Sequence, residues 1–62
     1  MARRYTIVLE GDGPVDHAST LAAASRKADT RARLNAGRTF LVQDEGGHNL
    51  YEAHVESAGG AR

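Results

Sequence analysis

Four residues near the C-terminal end of the chain have the types that could do chemistry: His48, Glu52, His54 and Glu56. They share even parity, so a regular strand would point all four the same way, and imidazole with carboxylate is a feasible metal set. The spacing works against it. Same-face neighbours on a strand stand about 6.5 to 7 Å apart, too far for adjacent side chains to close on one zinc at about 2 Å. The expected state is a polar, solvent-facing strand with no metal and no cofactor. His17 has no carboxylate or nucleophile tied to it by spacing and reads as a surface or subunit-contact residue. Ser19, Thr20 and Ser25 have no nucleophile-elbow context, and Gly11-Asp12-Gly13 has neither the spacing nor the lysine of a phosphate loop. The chain therefore reads as non-catalytic, and no motif in it is specific enough to name a family.

A second set is cationic. Arg26, Lys27, Arg31, Arg33 and Arg38 stand against the single acid Asp29, whereas Asp44, Glu45, Glu52 and Glu56 lie in a segment without Lys or Arg. Guanidinium forks suit phosphate, and each phosphate contact releases counterions, so this segment is a candidate for contact with nucleic acid or with a protein partner. The plainer alternative is a solvated helix face with an Asp29–Arg33 pair at i, i+4. Eight basic and eight acidic residues cancel over the 62-residue chain, which argues against binding driven by bulk charge. Aromatic residues able to stack on bases are only Tyr5, Phe40 and Tyr51, and the core needs at least two of them. A basic helix and an acidic hairpin on one molecule can also pair across subunits.

The elements that must position these groups follow from pattern. The longest periodic segment, Asp16 to Ala36, predicts a helix, with Asp16 as its cap and Gly37 as its left-handed terminator. Its inward stripe is expected to be Ala18, Leu21, Ser25, Ala28 and Ala32, opposite Arg26, Lys27, Thr30 and Arg33. Tyr5 to Glu10, Arg38 to Asp44 and Asn49 to Glu56 read as strands, the last two joined by Glu45-Gly46-Gly47-His48 in an antiparallel hairpin. The fold class is α+β, a two-layer domain in the order β-α-β-β with one helix packed on a mainly antiparallel sheet. The alternative is β-β-α-β-β, with a short extra strand at 15–18, a hairpin turn at Asp12-Gly13, and Ser19 or Thr20 as the cap. A 21-residue helix would be about 31 Å long and overhang strands of about 20 to 23 Å, so either the helix starts late or its end meets another subunit. The predicted core is Ile7, Leu9, Leu21, Ala28, Ala32, Tyr51, Val55 and one face of the second strand.

A chain this short is one domain, taken as residues 1–56 with a flexible tail at 57–62, and its stability margin is thin. It has no cysteine, hence no disulfide framework and no thiolate metal site, with a lean toward the cytoplasm. The apolar run Ile7 to Leu9, behind Arg3-Arg4, is too short for a signal-peptide core or a membrane span. Apolar residues occur on both parities of the strands, so Val8, Phe40 and Val42 are candidate dimer contacts on a second face that the single helix cannot cover. The function expected is a small non-catalytic cytoplasmic accessory or binding module, acting as a homo-oligomer, a homodimer being the simplest form, with a surface for a protein partner. A nucleic-acid-binding protein using the arginine-rich helix 26–38 is the alternative.

Overall fold

The computed structural model describes residues 4–56, so the tail predicted at 57–62 lies outside the described residues. The order is β-β-α-β-β, the alternative of the two sequence readings: β1 (Tyr5–Leu9), β2 (Gly13–Ala18), α1 (Leu21–Leu34), β3 (Thr39–Gln43) and β4 (Asn49–His54). The four strands form one antiparallel sheet in the order β2-β1-β3-β4, with α1 on one face.

The late helix start corrects the reading of Asp16 as a cap. Thr20 is the N-cap; its hydroxyl accepts from Ala23 N–H at 3.1 Å. Pro14 favours extended backbone, and Asp16 is drawn into β2 opposite Ile7, where pairing supplies partners for the β1 edge. Fourteen helical residues span about 21 Å, which matches the strands and removes the overhang. Gly37 does take the left-handed conformation, at φ 92°, and its N–H donates to Val55 C=O at 2.8 Å, tying the helix exit to the end of β4.

The core is built from Ile7, Ala18, Ala24, Ala28, Ala32, Phe40, Val42 and Ala53, with Tyr5, Leu9 and Ala23 packed against it. The helix turns Ala24, Ala28 and Ala32 inward, all three fully buried. That face is rotated from the predicted stripe: Leu21 is 40% exposed, and Ser25 is half-buried on its flank. Three alanines at i, i+4 spacing let the helix backbone approach the sheet closely, and Phe40, Ile7 and Val42 fill the space beneath it. Phe40 and Val42, expected on the face the helix does not cover, instead bury their side chains under the helix. Tyr51 and Val55 are only partly covered, each 37% exposed.

Candidate functional site

The basic residues are dispersed by the fold. Asp16, on the helix side of β2, receives Arg31 Nη2 at 3.0 Å and stands 3.6 Å from Lys27 Nζ. Lys27 Nζ also donates to His17 C=O at 2.9 Å. Arg38 Nη2 donates to Asp12 Oδ2 at 2.9 Å, which clamps the β1–β2 turn to the start of β3. The Arg31 hydrogen bond, then the His17 N–H, hold the Asp16 carboxyl well below the ordinary carboxylate range, at about 2. Three of the five cations thus neutralise acids of their own chain, on β2 and its turn, instead of the acids of the β3–β4 hairpin. Arg26 and Arg33 are exposed, and neither forms an ion pair among the described residues. Asp29 is not paired with Arg33: it accepts the Tyr51 hydroxyl at 2.8 Å, and this hydrogen bond to the carboxylate, with burial, raises the phenol's pKa.

The predicted polar set on β4 does not converge. His48 Nδ1 lies 3.3 Å from Asp44 at the hairpin, while His54 Nδ1 meets Thr39 Oγ1 at 3.2 Å across the β3–β4 pair. No metal-capable group of three or more His, Cys, Asp or Glu exists among the described residues. A register shift between Val42 and Gln43 leaves Leu50 unpaired, so Asn49 and not Leu50 stands opposite Gln43. That extra residue breaks the parity on which the shared-face reading of His48 depended.

The sheet face away from α1 is uncovered by any element of the described chain. Its centre is the cross-strand pair Val8 and Leu41, both half-buried, with Thr6 opposite Gln43 on one side and Glu52 opposite Leu41 on the other. Val8 lies on the uncovered face, and its apolar neighbour there is Leu41, not Phe40 or Val42. β3 is apolar at three successive positions, Phe40, Leu41 and Val42, so which parity faces the helix could be read only from its pairing with β1. Tyr5, Phe40 and Tyr51 all belong to the helix-covered side, which leaves the open face without an aromatic platform for stacking bases. Leu34, 78% exposed, stands at the rim of a groove between α1 and β2 that Asp16, Lys27 and Arg31 also line. No helix of the described residues is long and apolar enough to cross a membrane. The chain matches no protein-family model, no curated protein and no solved structure.

Proposed function

We propose that this chain is a non-catalytic cytoplasmic binding module that works as a homo-oligomer and offers the uncovered face of its sheet to a protein partner. The observation that carries this reading is the Val8–Leu41 pair: two apolar side chains opposed across central strands on a face with no covering layer. One helix covers one side of a sheet, and a face with an apolar centre, framed by Thr6, Thr39 and Gln43 and by the carboxylate of Glu52 opposite Leu41, suits protein contact better than phosphate contact. The neutral total charge agrees with a partner chosen by shape and burial.

Nucleic-acid binding is the second reading, kept because Arg26 and Arg33 are exposed and without ion pairs among the described residues. Its reach is limited by the commitment of Lys27, Arg31 and Arg38 to Asp16 and Asp12. A cross-linking pull-down from the native organism, run in parallel with wild-type and Leu41→Lys bait, tests the protein-binding reading. Partners captured by the first and lost with the second are expected; identical capture by both would remove the open face from consideration.

A further inference from the structure

The two edges of the sheet are not equivalent. On β2, Pro14 cannot donate to a further strand, and the register shift opposite Ile7 and Val8 leaves Val15 unpaired. The Lys27 ammonium also occupies the His17 carbonyl. Proline, a bulge and a lysine are the devices that blunt an edge. β4, from Asn49 to His54, contains no proline, lysine or arginine, and its own bulge, at Leu50, lies at the start of the strand and leaves Glu52 and His54 in regular pairing.

The hydrogen-bond pattern shows which groups β4 presents outward. Glu10 N–H donates to Thr39 C=O, so the peptide groups of Thr39, Leu41 and Gln43 point at β1, and those of Phe40 and Val42 point at β4. Ala53 and Tyr51, opposite Phe40 and Val42, therefore point inward, as does Val55, whose carbonyl accepts from Gly37. Glu52 and His54 are left with their N–H and C=O groups aimed at the free edge.

We infer that a second copy of this chain docks its own β4 antiparallel on this edge, with Ala53 on the two-fold axis. The inference rests on the homo-oligomer reading above and names its interface. Antiparallel partners must match in face, which allows only a few registers. Centring on Glu52 sets two carboxylates directly opposite each other, and centring on Tyr51 runs the ladder into the bulge at Leu50. Centring on Ala53 sets Glu52 opposite the partner's His54 at the hydrogen-bonded positions, and the same contact recurs by symmetry. Thr39 engages His54 at Nδ1, which leaves Nε2 for the carboxylate. On the helix side the register places Tyr51 against the partner's Val55, covering the two side chains that the monomer leaves 37% exposed. The smallest of these side chains falls on the axis, where opposed Cα atoms come closest. The product is a continuous eight-stranded sheet with both helices on one face and both Val8–Leu41 pairs on the other.

Sedimentation equilibrium of the full chain across micromolar to millimolar concentration tests this. Wild type is expected to rise from 6.6 kDa toward twice that mass. His54→Glu, which opposes carboxylates at both symmetric contacts, should weaken association at least tenfold, and the swap Glu52→His with His54→Glu should restore it to within about threefold. Glu52→Pro removes an outward N–H and should give a folded monomer by circular dichroism. A wild-type dimer whose affinity is untouched by His54→Glu would overturn the β4 interface while leaving the homo-oligomer standing. Wild type that stays at 6.6 kDa throughout would overturn both.

Discussion

Asp16 and Arg31, 15 residues apart in the chain, meet at 3.0 Å between the edge strand β2 and the outer flank of α1. The pair exists because Asp16 stands opposite Ile7 in the sheet, on the side the helix covers, while Arg31 lies one residue before the buried Ala32. It joins α1 to the strand the helix touches least, since α1 leans over β3 and β4 more than over β2.

The first prediction concerns this pair. The Asp16 carboxyl is lowered from 3.8 to about 2 in the folded chain, so its ionised form is stabilised by folding. Such a depressed acid contributes stability that is fully present above the unfolded value and lost as pH falls through the folded one. Asp16→Asn is therefore expected to cost about 1 kcal/mol at pH 7, after discounting for the water around a part-exposed pair. The difference from wild type should shrink between about pH 4 and pH 2. Urea unfolding of both proteins at pH 7, 4 and 2.5 measures it; a gap that persists unchanged at the lowest pH would assign the effect to something other than this charge.

The second prediction concerns the alanine stripe. Ala28 is fully buried between the helix and the sheet, so Ala28→Leu should force the layers apart and cost about 1 to 3 kcal/mol. Leu21→Ala removes a side chain that is 40% exposed in the first turn and should cost less than about 1 kcal/mol, because little cavity is left behind. Thermal melts of the two variants give the comparison, and the opposite ranking would mean that the helix is rotated toward Leu21.

How far the sequence revealed this architecture depends on the element. The β3–β4 hairpin was legible because two β-rich runs flank Gly46-Gly47, and the helix was legible as the only long periodic segment. Its start was not, because Asp16 is as good a cap by type as Thr20; extended backbone at Pro14 and the hydrogen-bonding needs of the β1 edge decided the matter. The inward face was misplaced because alanine carries little hydrophobic signal, so Leu21 drew the stripe toward itself. At the candidate site, Val8 was legible as an uncovered apolar residue, but the choice of Leu41 over Phe40 and Val42 needed strand pairing. The loss of Lys27, Arg31 and Arg38 to local acids needed the third dimension as well: Asp16 is distant in sequence from Arg31, and Asp12 is further still from Arg38.

The third prediction concerns the hairpin turn. Asp44 Oδ1 accepts the N–H groups of Gly46 and His48, each at 2.9 Å, and Gly47 sits at φ 84°. The His48 N–H, followed by that of Gly46, keeps the Asp44 carboxyl below its ordinary range, so acid should loosen this loop as the carboxylate protonates. Gly47→Ala should cost about 1 kcal/mol, because a Cβ is disfavoured in the left-handed region. Asp44→Ala should speed amide hydrogen exchange at Gly46 and His48 with little change at Phe40 and Val42. Equal acceleration in the core strand would show that the turn governs the whole sheet.

The fourth prediction decides between the two functional readings. Replacing Arg26 and Arg33 together by Gln should leave the unfolding free energy within about half a kcal/mol of wild type, because both side chains are exposed and outside any described ion pair. If the helix reads phosphates with these two groups, binding of duplex or single-stranded nucleic acid should fall with salt at a logarithmic slope no steeper than about −2, and the double variant should abolish it. A steeper slope would require Lys27, Arg31 or Arg38 to leave Asp16 and Asp12, at the expense of the contacts that hold β2 and its turn. Two phosphate contacts do not sustain useful affinity at physiological salt, so fluorescence anisotropy at 150 mM salt is expected to show no binding by wild type. Saturable binding under those conditions, lost in the double variant, would replace the protein-binding reading with the nucleic-acid one.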